Sequence, residues 1–128
     1  MSDVYVAGIA MTVFGRHPGR PLHDLAGEAL AGALKDAGCA VSDLGAAYYA
    51  GMTNGPLQGQ LAVPGQVVFG RIGIEGIPVY NVENACASGS SAFNLAVQGV
   101  RAGTADVALA IGAEKMNIPD RAKAMSIF

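Results

Sequence analysis

Tryptophan is missing from this chain, aromatic residues are few, and only two cysteines occur among its 128 residues. Cys39 and Cys86 stand in different sequence contexts, with no Cys-x-x-Cys pair and no Cys/His spacing of a zinc site. That argues against a disulfide-stapled scaffold and a structural metal centre, and leaves at least one thiol free for chemistry. Charge is scarce too. Eight basic and ten acidic residues are scattered along the chain for a net −2, which gives no electrostatic footprint for nucleic acid or an anionic membrane, so neither partner is expected. No apolar run approaches the roughly 18 residues that cross a bilayer, and the N-terminus lacks a basic region followed by an apolar stretch. A soluble, cytoplasmic protein is the expectation. No internal repeat or low-complexity segment is found.

What is abundant is glycine, 18 residues of it, within a chain that is 52% hydrophobic. Small side chains let backbones approach closely, which suits a layered α/β arrangement better than a loop-rich scaffold. The length fits one compact core, so residues 1–128 are treated as one domain or part of one.

Along the chain, residues 4–13 mix β-branched and small residues and end at Phe14-Gly15, which predicts a buried strand. From 21 to 38, Leu22, Leu25, Ala26, Ala29, Leu30, Ala33 and Leu34 fall at three- and four-residue steps between Pro21 and Gly38. That is the pattern of an amphipathic helix with proline at its start and glycine at its C-cap. Residues 46–50 read as a second strand, 51–65 show weak periodicity, and 66–72 read as a short helix. Residues 78–82 form a strand that stops just before Cys86, 88–101 a helix ended by Gly103, and 107–111 a central strand covered on both faces. The order β-α-β-α-β-α-β predicts a mostly parallel sheet with right-handed crossovers.

Cys86 thus lies between a strand end and a helix start. Unpaired N–H groups and the positive dipole end at a helix N-terminus favour a thiolate, the nucleophilic form. The following Ala87-Ser88-Gly89-Ser90-Ser91 has no bulky side chain, so a substrate can approach, and the Cys86 N–H could hold a thioester oxyanion. From pattern alone, the commoner fate of a free cysteine such as Cys86 is that of a buried small hydrophobe. A phosphate cradle is disfavoured because no Gly-x-x-x-x-Gly-Lys-[Ser/Thr] or Gly-x-Gly-x-x-Gly is present. A serine nucleophile is disfavoured because Ala87-Ser88-Gly89-Ser90-Ser91 does not match Gly-x-Ser-x-Gly.

The segment Asn84-Ala85-Cys86-Ala87-Ser88-Gly89-Ser90-Ser91-Ala92 resembles the nucleophile motif of thiolases. At the expected separation, Ile111-Gly112-Ala113-Glu114-Lys115-Met116 resembles the segment after their next strand. The second wording is most like the sterol-carrier-protein type of thiolase and its bacterial lipid-transfer-like relatives, and the likeness runs from Val4 over essentially the whole chain. Ketoacyl synthases share the fold and rank second.

The resemblance implies an α/β, thiolase-like fold: a mostly parallel mixed sheet between helical layers, of which this chain carries only the first half, incompletely. It implies acyl transfer between coenzyme A and a cysteine, with the CoA thioester as substrate and no bound cofactor or metal. Cys86 alone carries over as a catalytic residue. The family's histidines and second cysteine belong to its C-terminal half, and His17, His23 and Cys39 do not match them; His17 and His23 read as surface residues and Cys39 as structural. Glu83 and Asn84 either orient the turn or contact a two-fold mate, or are simply satisfied polar groups at a strand end. Glu114 and Lys115 read as a polar loop contact without chemistry, and the methionines as packing groups.

The expected partners are therefore an acyl-CoA or 3-ketoacyl-CoA and a complementary chain, a homo-oligomer or both. The competing expectations are a noncatalytic assembly subunit on a thiolase scaffold and a truncated, inactive fragment.

Overall fold

The structure, a computed structural model, describes residues 3–128. The first helix, α1 (Leu22–Ala37), follows Pro21, whose φ of −68° presets the entry, and it stops at Gly38, whose φ of 67° takes the left-handed cap. Asp24 in its first turn and Lys35 in its last complement the helix dipole. A short 3-10 turn (Val41–Asp43) leads into β1 (Ala46–Ala50). Then come α2 (Asn54–Gln58), α3 (Pro64–Arg71), β2 (Val79–Val82), α4 (Ser88–Arg101), β3 (Ala108–Gly112) and α5 (Arg121–Met125).

The three strands form one sheet in the order β2-β1-β3, parallel at both pairings. The α/β expectation is met, with the predicted crossover helices in place. All five residues of β1 are buried, as required of a central parallel strand covered on both faces. Its side chains alternate between two clusters. Ala47 and Tyr49 join Leu30, Val68 and Phe69, where α1 and α3 pack. Ala46, Tyr48 and Ala50 join Ala92 and Ala96 of α4. The α4 face is built of small residues because the helix lies close to the sheet: a methyl group at Gly99 would collide with the Tyr48 hydroxyl. Tyr48 also stacks on its cross-strand neighbour Tyr80, with ring centroids 4.9 Å apart.

Residues 4–13 do not form the strand their composition predicts. They run without secondary structure, and Tyr5, Ile9 and Val13 are exposed. The β-branched pattern is satisfied only when a neighbouring strand offers a ladder, and none does. The segment is held on α1 instead: the Ile9 N–H donates to Asp36 Oδ2 at 2.9 Å, and Gly8 lies against Ala33 and Ala37. Among the described residues three strands, not four, make the sheet.

Two further differences are local. The weakly periodic stretch contains α2, closed by Gly59 in the left-handed region, and α3 begins at Pro64, slightly earlier than the pattern suggests. The unanticipated α5 is capped by Asp120, whose side chain accepts the Lys123 N–H at 2.9 Å. No helix among the described residues is long and apolar enough to cross a membrane.

Candidate active site

The turn between β2 and α4 carries Cys86, and a set of local hydrogen bonds holds that turn. Glu83 Oε1 accepts the Ala85 N–H at 2.7 Å. The Asn84 N–H donates to Ser88 Oγ at 2.8 Å, and the Ser88 hydroxyl donates to Ala85 O at 2.7 Å. Asn84 Nδ2 donates to Ser91 Oγ at 3.0 Å. Ala87 and Ser88 close the turn by donating backbone N–H groups to Asn84 O and Ala85 O. Ala85 has φ of 46°, a left-handed conformation that a residue with a Cβ adopts at a cost and that functional turns retain when surrounding contacts enforce it. Here five hydrogen bonds from Glu83, Asn84, Ala87 and Ser88 enforce it. Glu83 and Asn84 are thus parts of the turn that positions the thiol.

The Cys86 side chain is free and exposed, so it is not the buried hydrophobe that local pattern left open. It borders a cavity of about 200 Å³ at the carboxyl ends of the strands, with Gly51 after β1, Gly112 at the end of β3 and Gly89 in the first turn of α4 around it. In open parallel sheets this is where ligands bind. Thr53, Glu114 and Met116 line the same cavity.

Sequence reasoning gave Glu114 as a polar loop contact but not its partners. The Glu114 carboxylate accepts the Met52 and Thr53 N–H groups and the Thr53 hydroxyl. It therefore clamps the loop after β1 to the loop after β3. Beneath it the Tyr49 hydroxyl donates to Asn54 Oδ1 at 2.8 Å, and Asn54 Nδ2 donates to Ala113 O at 3.4 Å. Glu114 is 61 residues from Thr53 in sequence, so no local pattern links the two. Lys115, its sequence neighbour, turns away and donates to Arg20 O.

Neither histidine borders the cavity. His17 Nε2 bonds Val13 O at 2.8 Å, and His23 lies 3.5 Å from Asp24. Cys39 is half-buried beyond α1, its Sγ 3.7 Å from Ala37 O. The site as described holds one nucleophile, a polar clamp and no imidazole.

Burial, reinforced by the Glu114 charge, raises the Tyr49 pKa above the usual tyrosine value. A raised folded-state pKa gives a contribution to stability that is complete below the unfolded value of about 10 and is lost as pH rises through it toward the folded one. Stability is therefore expected to fall above about pH 10, by up to about 1.4 kcal/mol per pH unit from this group. Burial and Tyr80 raise Tyr48 as well, so Tyr49→Phe should flatten that slope without abolishing it. Urea denaturation at a series of alkaline pH values checks this; equal slopes in both proteins would refute it.

Comparison with known proteins gives the same direction as the geometry. The family described as "Thiolase, N-terminal domain" matches residues 4–127. An acetyl-CoA acetyltransferase of Methanothermobacter thermautotrophicus is 36% identical over 116 residues, covering 91% of this chain and 30% of that protein. A benzoylsuccinyl-CoA thiolase subunit of Thauera aromatica is 41% identical over 114 residues, covering 87% of this chain and 28% of its own length. A non-specific lipid-transfer protein-like 2 of Caenorhabditis elegans is 39% identical over 116 residues, with 88% of this chain and 27% of that protein covered. Among solved structures, an acetyl-CoA acetyltransferase from Syntrophomonas wolfei superposes with a TM-score of 0.67 at 25% identity, over 81% of this chain and 27% of the other. This chain spans less than a third of the length of these relatives.

Proposed function

The chain belongs to the thiolase family, and from that premise we propose that it is the nucleophile-bearing part of an acyltransferase that uses coenzyme A thioesters. Cys86 takes the acyl group, and the remaining catalytic groups come from outside the 128 residues. The observation that carries this reading is the exposed Cys86 thiol, held by an enforced turn beside a cavity at the carboxyl ends of the strands. The setting we propose is cytoplasmic, with the CoA thioester as substrate and no bound cofactor.

With acetyl-CoA, Cys86 Sγ adds to the thioester carbonyl. The tetrahedral intermediate then collapses by breaking the bond from carbon to the CoA sulfur. The thiol proton of Cys86 ends on the departing CoA thiolate, leaving acetyl-Cys86 and free coenzyme A. With a 3-ketoacyl-CoA, Sγ adds at the 3-keto carbon, the C2–C3 bond breaks and C2 takes up the proton. The products are a shortened acyl-Cys86 and acetyl-CoA. The oxyanion in either case needs donors preorganised toward it, and the Cys86 N–H is the candidate this turn offers. Glu114 acts at one remove, by fixing the Thr53 wall.

The competing reading is that the same scaffold serves in assembly without turnover. One experiment separates the two. The chain is incubated with acetyl-CoA or acetoacetyl-CoA, digested, and its cysteine peptides analysed by mass spectrometry. An acetyl adduct on the Cys86 peptide and none on the Cys39 peptide supports the catalytic reading. Equal labelling of both cysteines, or none with the natural partner present, would leave the noncatalytic one.

A further inference from the structure

Asn54 is the one asparagine of the chain that a glycine follows. Glycine puts no Cβ in the way of its own backbone nitrogen, so in an Asn-Gly pair that nitrogen reaches the asparagine side chain with least hindrance. Gly55 is the second residue of α2, and a helix leaves the N–H groups of its first turn without an intrahelical acceptor. The nucleophile is therefore not held by the helix. What is held is the amide it would attack. Asn54 is 3% exposed. Its Oδ1 accepts the Tyr49 hydroxyl at 2.8 Å, and its Nδ2 donates to Ala113 O at 3.4 Å. Gly51 makes room for it, since a Cβ there would collide with Nδ2. One side chain thus ties the loop after β1 to the core beneath it and to the end of β3, and the same side chain carries a reactive bond.

We propose that Asn54-Gly55 is a spontaneous deamidation site gated by this network: local opening of the loop licenses the reaction, and the product keeps the loop open. The Gly55 nitrogen attacks Asn54 Cγ and gives up its proton. The bond from Cγ to the side-chain nitrogen breaks, ammonia departs and a five-membered succinimide remains. Solvent water then opens the ring at either carbonyl, leaving aspartate or isoaspartate at position 54. Neither product fits the native site. A carboxylate oxygen replaces the Nδ2 donor and faces Ala113 O, acceptor against acceptor, while the Tyr49 hydroxyl supplies one hydrogen for a charge that needs several. Isoaspartate also adds a methylene to the main chain in the first turn of α2. Both changes release the loop that carries Thr53, which lines the cavity bordered by Cys86. The proposal does not depend on Cys86 chemistry, so failure of one leaves the other standing.

The test incubates the 128-residue chain in mildly alkaline heavy-oxygen water and follows the Asn54 peptide by mass spectrometry, since each event takes one oxygen from solvent. In urea above the midpoint, position 54 should convert faster than any other asparagine. Gly55→Ala should slow it there; the added methyl meets first the flexible end of the exposed Leu61 side chain, at 3.2 Å. The folded chain should convert more slowly, at a rate set by the open population. Tyr49→Phe, which removes the bond to Oδ1, should raise that folded rate by about 2- to 12-fold, the equilibrium factor for one net hydrogen bond. Well below the midpoint the folded rate should change little with urea, because local opening exposes little surface. Asn54→Asp, which imitates one product, should speed amide exchange at Thr53 by about 5- to 150-fold, with the amides of α4 unchanged. Conversion as fast in the folded as in the unfolded chain, or no slowing by Gly55→Ala, would overturn the site. A folded rate that rises along the full unfolding slope, or is unmoved by Tyr49→Phe, would overturn the local gate. Ordinary exchange at Thr53 in Asn54→Asp would overturn the locking by the product.

Discussion

Co-expression with a polypeptide carrying the acid–base histidines that the thiolase resemblance assigns to the C-terminal half is expected to raise the rate of Cys86 acylation by about 10² to 10⁴ over the chain alone. General acid–base catalysis is typically worth that range, because a positioned base removes a proton that water removes slowly. The local structure explains why the gain should be large. The two histidines of this chain are committed elsewhere, to Val13 O and beside Asp24, and neither reaches the cavity. Glu114 is the one carboxylate at its border, and its oxygens already accept the Thr53 N–H and hydroxyl. The experiment pairs this chain with the C-terminal remainder of a related acetyl-CoA acetyltransferase and follows acetyl-Cys86 by quenched-flow mass spectrometry. The same remainder with its histidines changed to alanine should return the rate to that of the chain alone. If both forms of the remainder accelerate equally, the gain comes from ordering the chain and the base assignment is wrong.

How much of this was legible beforehand divides along the range of the interactions. Helix α1 was readable because its signals are local: the periodicity of Leu25, Ala26 and Leu30, and glycine at the cap. Likewise the position of Cys86 between a strand and a helix followed from composition shifts over a few residues. The segment 4–13 misled because strand propensity describes fitness for a pleated, partnered surface, and the partner is a matter of tertiary structure. The Glu114 clamp on Thr53 was invisible for a related reason, since it joins the ends of two strands that are neighbours only after the sheet forms. Glu83 and Asn84 lie between these cases. Their proximity to Cys86 was plain, but their role in holding the turn depends on the left-handed Ala85, which no glycine or asparagine at that position announces.

Phe69→Ala is expected to destabilise the chain by about 3 to 5 kcal/mol, the range for removing a fully buried phenylalanine and leaving a cavity. Phe69 is completely inaccessible and meets the Tyr49 ring edge to face, with centroids 5.7 Å apart and planes at 89°. Small domains hold about 5 to 15 kcal/mol in all, so this one change removes a large share. Its effect should also reach the site: Tyr49 carries the hydroxyl that holds Asn54, next to Thr53, which lines the cavity that Cys86 borders. Urea denaturation followed by circular dichroism measures the loss, with Phe14→Ala as the comparison. Phe14 is 86% exposed, and surface changes usually stay within about 0.5 kcal/mol. A Phe69→Ala protein no less stable than the Phe14→Ala protein would mean that α3 does not pack on β1 as described. A large loss in Phe69→Ala, with Cys86 also labelled more rapidly by iodoacetamide at urea concentrations well below the midpoint, would tie the wall of the cavity to the core beneath it.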